Sequence, residues 1–369
     1  MRNKKFLIIL AALIIILSAS YFFISNNERF YDKTIAKIIS VDEKSSESQD
    51  INGKIEKVKD QKIKAVIMNG SHKGEEIVLQ NKTSFSQVND LNLKVNDEVF
   101  VTINVGADNK IVSSQINDFK RDKYMGYIIM LFSSLILLIG GYKGFRSLCS
   151  VIINICVFLM LVETFQFGLG FIIASIAASI LFIVLSIAIV CGINKMAMSA
   201  IVSTLACTAI AMLISLAVIM FNNWNGIHFE EMEFLIHSPE TLFLVEIAIG
   251  TLGAIMDIAI SISSYVKERC DMKPDIEKDE LLKSGMELGK DIMGTMTNTL
   301  LFAYFSGSIP LILLLIKNNY PISYIININL SLEFVRALTG SIGVVLSIPV
   351  SIYIAVFFMK NKKIGDVKQ

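Results

Sequence analysis

Long apolar runs separated by short polar segments occupy most of the chain, and one of them lies at its beginning. A membrane-spanning helix needs about 20 mostly apolar residues. Eight segments meet this requirement, namely residues 6–24, 124–140, 148–167, 169–192, 196–221, 241–265, 292–316 and 337–358. We therefore predict a polytopic α-helical membrane protein with about eight transmembrane helices. Seven of them form a membrane domain over residues 124–360.

Residues 26–123 follow a different pattern, in which apolar and polar positions alternate over short segments. Such alternation, bounded by turn residues, predicts β-strands. The five predicted strands are TIAKIISV, KIKAVIM, EEIVLQ, DEVFVTINV and KIVSSQI, and the turns NGSHKG and GADNK separate two pairs of them. We predict a small β-barrel-like domain between the first and second transmembrane helices, and an OB-like barrel is one arrangement that fits.

Composition and charge agree with a membrane protein. Of the 369 residues, 53% are hydrophobic and only 18% are charged, whereas soluble domains contain about 25% charged residues. The formal net charge of +1 gives no reason to expect a nucleic acid as partner. The lipid bilayer is the expected surrounding.

The placement of Lys and Arg predicts the orientation of the spans, because these residues concentrate in cytoplasmic loops. They cluster before the first span, after the second, fourth and sixth spans, and after the last span. Both termini, including the tail 361–369, are therefore expected in the cytoplasm and residues 26–123 outside it. Residues 1–25 read as a signal anchor, although a cleaved signal peptide also fits their sequence.

The span around GTLGAIMDIAISISS carries a polar stripe with a carboxylate at its centre. At 100° per residue, one helix face collects Glu246, Gly250, Gly253, Asp257 and Ser261. A carboxylate in hydrocarbon is costly and marks a functional site by default. Two interpretations stay open for Asp257: a hydrogen bond that locks helix packing, or the binding of an ion or proton.

The following span has a similar stripe in SGMELGKDIMGTMTNTLLFAYFSGSIP. Asp291, Thr295 and Asn298 share one face of it. We predict that these three residues join Asp257 in an ion- or proton-binding centre. The segment SGSIP predicts a kinked or broken helix, as transporters use to expose backbone groups.

The last span begins with LEFVRALTGSIGVVLSIP, and it aligns with the Asp257 span without gaps over residues 335–352 and 245–262. This alignment places Glu246 and Arg336 at equal depth, and Glu333 lies one helical turn from Arg336. We predict a structural ion pair or gate among these three residues. Small residues allow close helix approach, within one chain or in a homo-oligomer. The expected packing residues are Gly250, Gly253, Gly340 and Gly343.

The segments GAIMDIAISISS, SGMELGKDIMGTMTNTLLFAYFSGSIP and EFVRALTGSIGVVLSIP together resemble the signature segments of the YibE/F family of bacterial multi-pass membrane proteins. The resemblance covers most of the chain from about residue 120 to residue 358. It implies the architecture and a location in the bacterial cell membrane. It brings no established activity and no functional residues.

Three functional hypotheses follow. The first is a transporter or channel for a small cation or proton, because carboxylates, hydroxyls and an amide suit hard cations. The second is a non-transport envelope factor, a scaffold or sensor whose exterior domain binds a protein partner. An enzyme is not expected, because the motifs HExxH, GxSxG and Walker A are missing and the His residues lie outside the spans. No cofactor or metal is predicted.

Overall fold

The structure is a computed structural model that describes residues 18, 21–24, 26–49, 55–82, 91–106, 108–166, 170–221, 224, 227–229 and 238–360. The chain forms two compact units, Met1–Gly141 and Tyr142–Gln369, which are described in turn. Most of the expected first span 6–24, and with it the choice between anchor and signal peptide, lies outside the described residues. The tail 361–369 does so as well.

The first unit contains a five-stranded antiparallel sheet with the strand order β3-β2-β1-β4-β5. Each of the five predicted strands is present, and both predicted turns connect neighbouring strands. β1 and β2 are longer than predicted because their polar ends continue to pair, as far as Gln49 with Ile55. The strands are β1 Ile35–Gln49, β2 Ile55–Ile67, β3 Glu76–Lys82, β4 Glu98–Val105 and β5 Ile111–Phe119.

The alternating residues of the strands bury one face of this sheet. Ile38, Ile63, Leu79 and Val99 are at most 1% exposed, and each such side chain contributes about 1.5–3 kcal/mol relative to an exposed one. The two outer strands also approach each other, since the Ser114 hydroxyl of β5 donates a hydrogen bond to a β3 carbonyl at 3.0 Å. The sheet therefore bends round its apolar core.

Six long helices within the described residues are apolar enough to cross a membrane. They are α1 Asp122–Gln166, α2 Phe171–Cys191, α3 Lys195–Phe221, α4 Pro239–Met272, α5 Lys278–Lys317 and α6 Ser331–Lys360. The predicted spans 124–140 and 148–167 both lie in α1. Gly141 separates them with φ 54° and ψ −128°, a conformation that residues with a Cβ rarely adopt. The total of eight spans stays a prediction.

The last helix, α6, is the centre of the second unit and packs against α3, α4 and α5. A Cβ at Gly343 would approach Ile255 of α4 to 2.7 Å and Ala211 of α3 to 3.3 Å. A Cβ at Gly340 would approach Leu300 of α5 to 3.1 Å and Thr251 of α4 to 3.2 Å. The small residues on α6 therefore lie where neighbouring helices approach most closely, as small residues do in membrane helix packing.

Of the predicted kink or break in the seventh span, the break is not present. α5 continues from Lys278 to Lys317 with Pro310 inside it. The Ser306 hydroxyl donates to the carbonyl oxygen of Ala303 at 2.9 Å, within the same helix. A proline in a membrane helix is tolerated where local adjustments satisfy the freed backbone groups, so SGSIP does not require a broken helix.

Candidate functional site

Asp257 lies near the middle of α4, on a face whose residues are exposed within the described part of the second unit, although α5 approaches it at Gly250. Gly250, Gly253, Asp257 and Ser261 are all exposed on this face, together with Ser264. The opposite face contains Ile255, which is fully buried. We call the exposed residues Gly250, Gly253, Asp257, Ser261 and Ser264 the α4 polar stripe.

Helical geometry relates this stripe to α5. The two helices are antiparallel, since a short turn joins them and Lys273 after α4 forms an ion pair with Glu280 of α5 at 3.0 Å. At the far end, Gly250 touches the Tyr304 hydroxyl of α5 so closely that a Cβ at position 250 would overlap it. On α4, Asp257 lies two turns after Gly250, and on α5, Thr297 lies two turns before Tyr304. Because the helices are antiparallel, both residues lie about 10 Å from this contact in the same direction.

Asp257 and Thr297 therefore lie on the same faces of their helices as the touching pair Gly250 and Tyr304. Within the described residues, however, no hydrogen bond or ion pair engages the Asp257 carboxylate, and Asp257 stays exposed. A hydrogen bond that the Asp257 carboxylate accepts from Thr295 or Asn298, which would fit the packing interpretation, is not among the described contacts. This leaves the carboxylate accessible at mid-helix.

The polar residues predicted on α5 do not converge with Asp257. At 100° per residue, Thr295 lies about 180° round α5 from Tyr304, and Asp291 and Asn298 lie more than about 100° from it. All three are exposed, and the Thr295 hydroxyl donates to the Ile292 carbonyl of its own helix at 2.8 Å. The expected four-residue centre is therefore not assembled among the described contacts, because the polar face of α5 points away from the face that meets α4.

Glu246, Glu333 and Arg336 come together. The Arg336 Nη2 atom lies 2.6 Å from Glu246 Oε2 and its Nη1 atom lies 2.6 Å from Glu333 Oε1. The guanidinium also lies over the Phe243 ring, 5.3 Å from its centroid, at a distance typical of a cation–π interaction. The ion pair across α4 and α6 and the pair along α6 are thus both present, and a gating role for them stays a prediction.

Two residues of this region had no signal in the sequence analysis, Tyr304 and Thr297. The Tyr304 hydroxyl is buried without a hydrogen-bond partner among the described residues, next to Gly250. Neither residue belongs to the polar stripe of α5 that the sequence shows. Only the register between α4 and α5 reveals that these positions face the α4 polar stripe. A single sequence does not supply that register.

A second charged cluster lies in the first unit, where the sheet meets the start of α1. The Lys120 side chain is 1% exposed, and its Nζ lies 2.6 Å from Glu98 Oε2 and 3.2 Å from Asp122 Oδ2. It also donates to Asn27 Oδ1 at 2.9 Å. Asp122 accepts further hydrogen bonds from Asn27 and Tyr31. Sheet and helix are therefore joined by a fully paired ionic network.

Protonation in this network follows from its pairing. Burial alone would lower the pKa of Lys120, but the hydrogen bond and charge of Glu98, with the charge of Asp122, hold it above the ordinary value. Burial raises the pKa of Tyr31, and the hydrogen bond to Asp122 raises it further. Both groups therefore keep their protons over the whole neutral range.

The described residues contain no group of three or more His, Cys, Asp or Glu side chains close enough to hold a metal ion.

Comparison with known protein families gives two matches. A family model described as YibE/F-like protein matches residues 128–361. A second, described as YibE/F family N-terminal domain, matches residues 29–119. No curated protein and no solved structure matches the chain. The first match covers the six long helices from early in α1 onwards, and the second covers the five-stranded sheet.

Proposed function

Since this chain belongs to the YibE/F family, and its helices are able to cross a membrane, we propose that it conducts or transports a small cation or a proton. The observation that supports this proposal is the accessible, unpartnered Asp257 carboxylate at the middle of α4. The pathway follows the α4 polar stripe on the side that faces α5. Asp257 is the group to which the cation or proton binds along that pathway.

The argument starts from the energy of a carboxylate in a bilayer. Even the lower experimental scale gives about 2.5–3.5 kcal/mol for Asp at the centre of a membrane helix. Such residues face a bundle interior or a water-filled cavity. Asp257 forms no ion pair within the described residues, so the internal pairing that would offset this energy is missing. Water, a proton or a cation in contact with the carboxylate offsets it instead.

The neighbours of Asp257 favour a cation over an anion. The α4 polar stripe offers a carboxylate, the hydroxyls of Ser261 and Ser264, and glycines that let another group approach closely. Oxygen ligands suit hard cations and protons. The basic residue Arg336 is already bound by two carboxylates, which leaves it no free positive charge for an anionic substrate.

A constriction at one end of the stripe provides a gate for this pathway. Tyr304 packs directly on Gly250, one helical turn from Glu246 and its ion pair with Arg336. A cation moving past Asp257 towards that end meets the Tyr304 ring first and the carboxylates of Glu246 and Glu333 next. Separation of Tyr304 from Gly250 would open the way, and the ion pair between α4 and α6 would hold the closed state.

The proposal includes a topology. Lys and Arg residues concentrate on one side of the spans, which supports cytoplasmic termini in a bacterial cell membrane and an extracytoplasmic sheet domain. Residues 6–24 then supply an eighth span before the sheet. In this arrangement the Gly250–Tyr304 constriction lies towards the extracytoplasmic side, and the Ser264 end of the stripe lies towards the cytoplasm.

Flux measurements in liposomes test the proposal. Purified protein should carry protons, or one cation of a panel of alkali and alkaline-earth ions, and Asp257→Asn should lower the rate at least tenfold. Asp291→Asn removes the same charge from the outer face of α5 and should leave the rate within about twofold. Equal rates for wild type and Asp257→Asn would remove Asp257 from the pathway. No flux across the panel would oppose transport of these ions.

A second candidate function rests on the Lys120 network. In a non-transport envelope factor, the sheet would bind a protein partner outside the cell and α1 would receive the resulting displacement through Lys120, Glu98 and Asp122. Strands β3 and β5 approach each other, which supports the proposal of a circular order β1-β2-β3-β5-β4, as in an OB-like barrel, a fold that often serves as a binding module. Crosslinking of the full-length protein in cells distinguishes this candidate: a partner crosslinked to the sheet, with no flux in liposomes, would favour it.

A further inference from the structure

A cleft of about 520 Å³ lies beside the C-terminal half of α4, where Ile260 and Ser264 are among its lining residues. Three cationic side chains line it, those of Lys143, Arg146 and Lys267. They come from three places: α1 just after Gly141 supplies the first two, and the last turns of α4 supply the third. The turn between α2 and α3 completes the lining with Cys191 and Asn194.

The charges of these three cationic side chains are available to a ligand. Among the residues that the structure describes, none of them forms an ion pair with a carboxylate. Arg146 is held in place by its contact with the end of α2, where its Nη2 donates to the Ala188 carbonyl at 3.4 Å, and by the Tyr142 ring at 6.0 Å. Its guanidinium is therefore held at the cleft without an ion pair among the described residues.

The start of α3 adds to the positive potential. Asn194 caps this helix, since its Oδ1 accepts the Ala197 N–H at 2.9 Å, and its Nδ2 donates to the Cys191 carbonyl at 2.9 Å. Met196, at the second position of α3, lines the cleft. A helix of 27 residues presents free N–H groups and a partial positive charge at this end, next to Lys143 and Arg146.

Two carboxylates limit the charge of the ligand. Glu268 and Asp271 also line the cleft, so its five charged side chains sum to one positive charge. This balance suits an anion that carries a single negative charge better than a doubly charged one. A phosphodiester carries one negative charge and offers oxygens to Lys, Arg, the Ser264 hydroxyl and backbone N–H groups.

The rest of the lining is apolar and lies where the spans end. The charged residues are bordered by Val190 at the end of α2, Met196 at the beginning of α3, Met272 at the end of α4 and Ile260 further inside α4. Basic pockets between transmembrane helices at the cytoplasmic boundary are suited to anionic lipid headgroups. Apolar side chains beside a cationic site match the glycerol and acyl part of such a molecule.

We propose that this cleft binds a phosphodiester, through Lys143, Arg146, Lys267 and the N-terminus of α3. The phosphodiester comes either from the headgroup of an anionic phospholipid or from a soluble molecule with the same group. The site shares Ser264 with the α4 polar stripe, but it uses neither Asp257 nor a residue of the Gly250–Tyr304 constriction, and its test does not rely on cation or proton transport.

Native mass spectrometry of the full-length protein released from mixed micelles tests the proposal. The probes are phosphatidylglycerol, phosphatidylcholine, and glycerophosphoglycerol, which has the same headgroup as the first without acyl chains. Lys267→Gln removes one cation that only lines the cleft, and Arg146→Gln removes the cation that is anchored on α2. Lys290→Gln is the matched control, because Lys290 is exposed on α5 outside the cleft.

Wild-type protein and Lys290→Gln should retain phosphatidylglycerol in preference to phosphatidylcholine. Lys267→Gln should lower that retention roughly fivefold, the effect expected of one cation near an anionic group. If the ligand is a lipid, glycerophosphoglycerol should bind much more weakly than phosphatidylglycerol. If the ligand is a soluble molecule, glycerophosphoglycerol should bind with similar affinity and displace the lipid. Equal retention of both lipids, or retention that Lys267→Gln and Lys290→Gln change equally, would overturn the proposal. Lys267→Gln also keeps the test valid if Arg146→Gln does not fold.

Discussion

Lys120 in the first unit and Asp257 in the second are both charged side chains, and they differ in exposure and in pairing. Lys120 is 1% exposed and touches two carboxylates and an amide oxygen within 3.2 Å. Asp257 is exposed and has no hydrogen-bond or ion-pair partner among the described residues. Side chains of the same unit pair with the Lys120 charge, whereas no described side chain pairs with the Asp257 charge.

In the function that we propose, this difference separates a structural charge from a functional one. A buried charge with complete pairing stabilises one arrangement, and removing a single partner is strongly destabilising. A charge without partners contributes little to the folded state and stays free to bind and release an ion. Arg336 belongs with Lys120 in this respect, because it is 15% exposed and paired with Glu246 and Glu333 at 2.6 Å each.

The largest expected effect on stability comes from Lys120→Met. The substitution leaves Glu98, which is 6% exposed, and Asp122 with less cationic compensation. Breaking a buried pair in this way costs about 3–5 kcal/mol. Hydrogen exchange of the β4 amides in the full-length protein should therefore accelerate by at least a hundredfold.

The double variant Lys120→Met with Glu98→Leu is the control for this prediction. It also removes the Glu98 carboxylate, which has lost Lys120 and keeps Lys123 at 3.2 Å, so it should recover part of the lost protection. Exchange in β4 that Lys120→Met leaves unchanged would show that the network is not structural, and the comparison with Asp257 would fail.

A smaller loss of stability is expected from Gly343→Leu, which places a large side chain where α6 contacts α3 and α4. Leu at this position meets Ile255 and Ala211, and such overpacking costs typically about 1–3 kcal/mol. Gly253→Leu is the matched substitution on α4, where a Cβ has nothing within 4 Å. Thermal unfolding in detergent should show a lower midpoint for Gly343→Leu alone. Equal midpoints would mean that α6 is not tightly packed at this point.

The pH dependence of stability gives a third, weaker comparison. The folded-state pKa of Lys120 is raised, so its pairing stabilises the protein fully below the unfolded value of about 10.4. This contribution is lost as the pH rises through the folded-state pKa. The midpoint difference between wild type and Lys120→Met should thus be constant from pH 7 to about pH 10 and shrink above it. A difference that shrinks between pH 7 and pH 9 would contradict the assignment.

Much of this architecture follows from the sequence, because it depends on local patterns. Period-2 alternation predicts all five strands, and apolar runs predict the helices. The pairing of Glu246 with Arg336 also follows, because an ungapped alignment of two spans gives their depth. The helix is not broken at SGSIP, since a proline in a membrane helix does not have to break it.

The sequence does not predict which face of α5 packs against α4. Asp291, Thr295 and Asn298 form a polar stripe as clear as that of Asp257, yet they lie on the far side of α5. Thr297 and Tyr304 face α4 instead. The rotation of α5 is set by Leu300, Gly289 and Gly285 packing on α6, and these contacts depend on tertiary structure rather than on the periodicity of one helix.

The smallest expected effect on stability belongs to Asp257→Asn, and it is the most informative for the comparison. The substitution removes the charge without changing the shape, and no described partner loses a hydrogen bond. The free energy of unfolding should therefore change by no more than about 0.5 kcal/mol, whereas Lys120→Met should lower it by about 3–5 kcal/mol. The flux in liposomes should fall nevertheless. Thermal midpoints in detergent and flux in liposomes measure the two quantities on the same preparation. A midpoint lowered as far as that of Lys120→Met would make Asp257 a structural residue with a partner, and a change in flux would then report misfolding rather than a lost binding group.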